Sequence, residues 1–360
     1  MEIPSHPRYK FATQMALNTF TYFNVLSFPV DIKTLVKSEG IKLKKYSVIA
    51  KKLNITLDEV CEEFQTNLAY IFRNNLGEYS IAYNDSLPDY IIRFSIAHEL
   101  GHYALMHLED FDETILRYRG TALAESKYRV LEKEANCFAR NLLAPAPIAN
   151  IIPPEIYQEY FGIGFQAEQT RIGLLASDNY YTKLLGNEIS EKNFSQLENE
   201  LKYSYQCQTC RGICSKKNIN FCPYCGEDTL SKLSITDVIQ LKSNGDYMKY
   251  SSIELNSENF PLMCPRCDSE QIDPSYKYCP ICATYLHNIC IGFGPFEDNS
   301  ISPYPFFELN RESNGCGKTL PGFARYCPDC GGLSSYFHQE LLRFWDSEKD
   351  EIDILEELPF

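Results

Sequence analysis

A chain of 360 residues is long for one hydrophobic core, and at about 100 to 200 residues per domain two or three separable parts are expected. With 44% hydrophobic, 13% aromatic and 23% charged residues, the composition is that of a folded protein and excludes wholesale disorder. The formal charge of -14 argues against attraction to nucleic-acid phosphates or anionic lipid, which needs a basic face, and favours a protein partner.

The start, Met1 to Pro7, lacks a basic segment leading into an apolar one, and no later stretch approaches the roughly 18 uninterrupted apolar residues of a membrane span. A cytoplasmic protein without membrane contact is expected. Phe11 to Leu26 has helical apolar spacing, and a second helix is expected over Asp31 to Glu39, closed by Gly40. Thr56 and Glu59 form a capping-box pattern ahead of Val60 and Phe64, with Leu53 expected to supply apolar contact before the cap. Tyr70-Ile71-Phe72 and the alternating Tyr79, Ile81 and Tyr83 flank Asn74-Asn75-Leu76-Gly77, a hairpin signal.

Pro88 stands near the start of a long helical pattern in which Ile92, Ile96, Leu100 and Ala104 recur every fourth residue. A second apolar helix, about Ser126 to Leu143, is stopped by Pro145 and Pro147. Residues 151–205 carry no metal-ligand pattern and read as a helical completion of the first domain, residues 1–150, plus a linker.

The long helix contains His98-Glu99-Leu100-Gly101-His102. At 3.6 residues per turn the two imidazoles project from one face and can reach one ion at ~2.0 to 2.1 Å. Glu99 is rotated by about 100° from His98, which sets its carboxylate beside a metal-bound water as general base instead of on the metal. A catalytic zinc needs a third protein ligand. A downstream histidine at the required spacing is missing, since positions 105 and 108 are Leu105 and Leu108, and His107 falls out of register. His107 reads as a surface residue or one that supports a ligand. The better source is the following helix, where Glu132 is the expected ligand and Glu134 its rival. Asn136, four residues after Glu132, can steady a histidine from outside the ligand set, and Cys137 reads as a buried apolar thiol.

The run Arg93-Phe94-Ser95-Ile96-Ala97-His98-Glu99-Leu100-Gly101-His102-Tyr103, followed by Glu132-x-Glu134-Ala135-Asn136-x-Phe138-Ala139-x-x-Leu142-Leu143-Ala144-Pro145, resembles the ImmA/IrrE family of metallopeptidases over roughly residues 10 to 180. Ala144 stands where that family often has Met. The resemblance implies a mostly helical, zincin-like domain with a small sheet and a glutamate-type third ligand. It also implies an endopeptidase of bacterial, phage or mobile-element origin that cuts a specific protein such as a helix-turn-helix repressor or an antitoxin. The other function such a chain could have is that of a non-cleaving metal-binding sensor or interaction module. The charged stretch Glu109 to Arg119 is expected to form a loop beside the cleft.

Of 15 cysteines, only Cys61 and Cys137 precede residue 200. The large, unsignalled chain with an odd cysteine count fits metal thiolates better than disulfides. Cys207, Cys210, Cys222 and Cys225 make one set of four thiolates in two knuckles, residues 206–230. After an inter-ribbon segment, 231–262, Cys264, Cys267, Cys279 and Cys282 make a second within 263–285. Cys327 and Cys330 supply half of a third, 286–335, with Cys290 and Cys316 as the other half across the insertion 291–315. Cys214 is left over as a free thiol or a substitute for Cys210. Four thiolates in tetrahedral geometry suit structural zinc, so one catalytic and two to three structural ions are expected. Between Ser231 and Ser300 nine acidic residues stand against five basic ones, so protein recognition is expected of the ribbons rather than nucleic-acid contact. Residues 336–360 read as an acidic amphipathic tail, either a docking helix or solvated. The expected fold class is therefore α+β: a mostly helical domain with a small sheet, then small all-β ribbons.

Overall fold

The chain begins its ordered architecture with helix α1 (Tyr9–Tyr22), whose Ala12, Ala16, Leu17 and Phe20 are fully buried along one face. The structure is a computed structural model that describes residues 4–25, 27–74, 76–110, 122–186, 191–292 and 315–349. It divides into two compact units, Met1–Glu198 and Asn199–Phe360. The fold is mixed α+β, as expected from the sequence.

In the first unit α2 (Ile32–Ser38) is N-capped by Asp31, whose carboxylate accepts from the Thr34 amide at 3.1 Å. Strand β1 (Lys42–Lys45) and helix α3 (Tyr46–Leu53) follow, then α4 (Leu57–Phe64) with the Thr56–Glu59 capping box formed in both directions. Leu53 does not support that cap, because it is 61% exposed; Ile55, the residue just before Thr56, packs instead on the cluster containing Val60. That is the spacing of a hydrophobic staple.

Strands β2 (Ala69–Arg73) and β3 (Tyr79–Tyr83) form the expected antiparallel hairpin with Ile71 opposite Ile81. Strand β1 adds to the other side of β3 in parallel, giving the order β1-β3-β2 and leaving β2 at an edge. Helix α5 (Asp89–Ala104) starts after Pro88 and ends in a turn where Met106 takes a left-handed φ of 57°, which redirects the chain into the short α6 (His107–Asp110). Helix α7 (Ala122–Leu143) is longer than the sequence pattern suggested; its buried stripe Leu131, Ala135, Phe138 and Leu142 packs it against α5 and α1. The long helix α8 (Phe165–Leu185) closes the unit against α1. The stretch expected to form a loop from Glu109 to Arg119 lies, from residue 111 on, outside the described residues.

The second unit opens with strands β4 (Ser204–Cys207), β5 (Ile213–Ser215) and β6 (Leu230–Lys232), an antiparallel sheet of order β5-β4-β6 around the first cysteine set. Helix α9 (Ile235–Asn244), with its own Ser234–Asp237 capping box, joins it to the second ribbon. In the third ribbon β7 (Cys290–Gly292) pairs with β8 (Leu333–Ser334); the insertion, from 293 to 314, lies outside the described residues. The segment after residue 335 is not a free tail up to residue 349. Leu342 is buried, Trp345 packs on the first cysteine cluster, and the Glu348 carboxylate accepts from the Ser251 amide at 2.9 Å and from Arg325 at 2.7 Å. Residues 350–360 of the expected tail lie outside the described residues.

Ribbons one and three are joined by a reciprocal contact. The Pro223 carbonyl accepts from the amides of Arg325 and Tyr326 at 2.8 and 3.1 Å, and the Pro328 carbonyl accepts from Asn220 and Phe221 at 2.9 and 3.1 Å. Each donor pair immediately precedes the cysteine of its own Cys-Pro knuckle, so the two knuckles are related by a local pseudo-twofold. The aromatic rings follow the same symmetry: Tyr326 lies over Gly226 and Phe221 over Gly331. A Cβ on Gly226 would stand 2.9 Å from the Tyr326 ring, at a φ of 81° that L side chains rarely adopt. Gly226→Ala is therefore expected to loosen both knuckles at once. Hydrogen exchange on the full chain should show amides 220, 221, 325 and 326 exchanging faster together, by about tenfold for a disturbance of ~1.4 kcal/mol. Faster exchange at 220 and 221 alone would mean that the knuckles pack independently.

Candidate metal centre

Helix α5 carries His98 and His102 on one face, and α7 carries Tyr128, Glu132, Asn136 and Arg140 along another stripe. The two helices come close because position 101 has no side chain. A Cβ on Gly101 would lie 3.1 Å from the Phe138 ring and 3.2 Å from the Ala135 backbone. Through this approach Glu132 reaches both histidines: its Oε2 is 3.3 Å from His98 Nε2, its Oε1 is 3.2 Å from His102 Nε2, and the two Nε2 atoms are 3.1 Å apart.

These edges match a tetrahedral ion, since ligand bonds of ~2.0 to 2.1 Å place ligand atoms roughly 3.3 Å apart. Proton positions point the same way. His98 Nδ1 donates to Asn136 Oδ1 at 3.0 Å, so its Nε2 presents a lone pair. His107 must donate from Nε2 to the acceptor-only carboxylate of Glu134 at 3.1 Å, which leaves its Nδ1 to accept from His102 Nδ1 at 2.9 Å. His102 Nε2 is then also a lone pair. Two lone pairs and a carboxylate converge with no hydrogen between them, an arrangement that suits a cation. Burial lowers the His102 pKa to about 4, helped by the neighbouring His98 and His107, which keeps that imidazole neutral and able to ligate.

Glu99 does not join the three. Its Oε2 accepts the Ile71 amide of the edge strand β2 at 2.9 Å, which fixes the carboxylate beside the ligand set. Both belong to a cleft of about 640 Å³ whose walls include Phe64, Tyr70, Phe72, Phe94 and Tyr128.

Glu134, the rival ligand in the sequence, points to the other side of α7 and is fully buried. It binds Arg8 through the backbone amide at 2.6 Å and the guanidinium at 2.8 to 3.2 Å, and it receives His107. Burial would raise its pKa, but the hydrogen bonds from His107 and Arg8 bring it down to about 2, so it is ionised throughout the neutral range. His107 is fully buried and not a surface residue. A continuous chain thus runs Arg8, Glu134, His107, His102. No motif spacing in the sequence pointed to Arg8 or to this role of Glu134. Cys137 is buried with its sulfur toward Thr13 and the Tyr9 carbonyl, away from the site.

The twelve ribbon cysteines gather in three groups: Cys207, Cys210, Cys222 and Cys225; Cys264, Cys267, Cys279 and Cys282; Cys290, Cys316, Cys327 and Cys330. Sulfur separations within them include 3.5 and 3.6 Å, 3.5 and 3.7 Å, and 3.5 and 3.6 Å respectively. Bonds of ~2.3 Å to a tetrahedral zinc require edges of roughly 3.8 Å, and disulfides would require about 2.05 Å, so the cages suit a metal. Cys214 lies outside its neighbouring group; it is buried, its thiol faces the Tyr205 carbonyl, and burial pushes its pKa up to about 12.

Two histidines and a glutamate that could hold a metal ion thus stand beside a second glutamate, the arrangement expected of a metallopeptidase site. The model of the Peptidase_M78 family, the IrrE N-terminal-like domain, matches residues 56–172, which contain His98, Glu99, His102, Glu132 and Asn136. The Nin one binding (NOB1) Zn-ribbon like model matches residues 199–250, which contain the first cysteine group. No curated protein and no solved structure matches the chain. Matches and geometry together support a metallopeptidase-type function, zinc as the metal, and ribbons of a kind used in protein or nucleic-acid contact. No helix among the described residues is long and apolar enough to cross a membrane.

Removing the charge of Glu134, within the buried chain, should be felt at the metal. Glu134→Gln is expected to weaken zinc binding at the cleft by about 10- to 100-fold in chelator competition, with ribbon zinc retained. Unchanged affinity would show that His107 and Glu134 serve packing alone.

Proposed function

We propose that the chain is a zinc endopeptidase of ImmA/IrrE type that cleaves a specific protein, with a helix-turn-helix repressor or an antitoxin as the substrate class the resemblance implies. The observation that carries this reading is the convergence of His98, His102 and Glu132 beside the separately held carboxylate of Glu99, in a cleft walled by an edge strand. Zinc held by those three residues supplies Lewis acidity and acidifies water toward a pKa of ~7. Glu99 is the base that takes the proton from the attacking water and returns it to the leaving amine. Asn136 and His107 orient the two imidazoles, each through Nδ1. The edge strand offers backbone groups along the cleft to an extended peptide.

Ribbon zinc has a structural role in this reading, because four thiolates close the coordination sphere. The acidic balance of the ribbon unit favours a protein as the bound partner, and cysteines gathered as thiolate cages instead of disulfides suit the reducing cytoplasm.

Glu99→Gln is expected to lower cleavage by at least ~10² to 10⁴ with zinc content unchanged. Incubation with proteins encoded beside this one, followed by mass spectrometry of fragments, measures it. Chelation should abolish cleavage and added zinc restore it. A partner captured by zinc-loaded wild-type protein and left uncut would favour the sensor reading instead.

A further inference from the structure

Next to the metal cleft lies a second cavity of about 450 Å³, within the ~300 to 1,000 Å³ range of ligand pockets. The two share Leu68, Phe94, Ser95 and Asn136 as common walls, and Asn136 is the residue that holds His98. Beyond that boundary the wall is mostly apolar, with Ile91, Leu143, Ile163 and Ala167. Its polar feature is a pair of arginines. Arg140 and Arg171 both bind the single carboxylate of Asp178, at 2.7 and 2.5 Å, so the group keeps a surplus positive charge. Arg171 is fully buried, and its Nε has no hydrogen-bond partner among the described residues.

We propose that this cavity is the subsite for a large apolar side chain on the substrate residue adjoining the scissile bond. The inference rests on the peptidase reading and goes further by naming the specificity. Three observations support it: the cavity shares a wall with the cleft at a residue that positions a candidate metal ligand; its wall is chiefly hydrocarbon, which favours burial of an apolar group; and its surplus charge is positive, which excludes lysine and arginine side chains. Leu68, the residue just before the edge strand β2, lines both the cleft and the cavity, so a peptide laid along β2 reaches their shared wall.

The test uses the zinc-loaded full chain and five hydroxamate peptide mimics that carry a methyl, isobutyl, benzyl, aminobutyl or carboxyethyl side chain next to the metal-binding group. Dissociation constants are measured by calorimetry. The isobutyl compound should bind at least about tenfold more tightly than the methyl compound, and the aminobutyl compound most weakly. Ala167→Phe, which fills the cavity, should bring the isobutyl-to-methyl ratio close to one. Ile91→Ala, which enlarges it, should shift preference toward benzyl. The subsite is refuted if wild type shows no preference, if both variants keep the wild-type preference, or if the carboxyethyl compound binds most tightly. Failure of all five to bind zinc-loaded protein would instead overturn the metal-site reading on which this one stands.

Discussion

The close crossing of α5 and α7 at Gly101 is the constraint on which the site depends. His98 and His102 are fixed by one helix, but the third ligand comes from another, and metal sites tolerate ligand displacements of only about ±0.2 Å. At Gly101 the neighbouring atoms already stand 3.1 to 3.2 Å from where a Cβ would be. A Cβ there would require the Phe138 ring and the Ala135 backbone to give by a few tenths of an ångström, a shift on the scale of that tolerance. The buried stripe on α7 and its packing against α1 hold the crossing from the far side, so helix packing supplies the precision of the metal geometry.

Hydrogen-bond polarity supplies the chemistry. An imidazole ligates through one nitrogen only if the other holds the proton, and each histidine here has a partner that settles this. For His98 it is an amide oxygen on α7. For His102 it is His107, whose own proton is directed outward by the ionised Glu134, which in turn is neutralised by Arg8. The charge of the buried glutamate is therefore balanced at the end of the chain remote from the metal. The left-handed turn at Met106 is the backbone feature that returns His107 to His102 five residues later.

Much of this was legible in the sequence where the information is local. The i, i+4 histidines, the Glu59 capping box, the hairpin and the paired cysteine knuckles are set by residues a few positions apart. What was not legible depends on distance along the chain. Strand β1, Lys42-Leu43-Lys44-Lys45, has no apolar alternation and exists through its pairing with β3. Arg8 and Glu134 are separated by 126 positions, and no spacing in the sequence pairs them. Glu132 and Glu134 are alike in sequence; they differ because residues two apart on a helix face different sides, one toward the histidines of α5 and the other toward α1.

The ribbon unit faces a different problem, that of size. A ribbon of about 25 residues buries too little apolar surface to be stable on its core alone, and metal cages and contacts between ribbons make up the difference. The pairing of ribbons one and three uses positions that recur in the second ribbon, where Tyr278-Cys279-Pro280-Ile281-Cys282 repeats the knuckle. The position after its last cysteine, however, is Ala283, at a φ of 58°. The corresponding Gly226 and Gly331 are the places where the other knuckle's ring packs, and a Cβ there would stand 2.9 and 3.2 Å from that ring. A methyl group at 283 therefore obstructs the second ribbon from taking the place of either partner. It is held instead through Arg266 on the Gln339 carbonyl at 2.6 Å and the Tyr285 amide on the Gln339 side chain at 2.9 Å. The segment after the third ribbon thus becomes the support of the second.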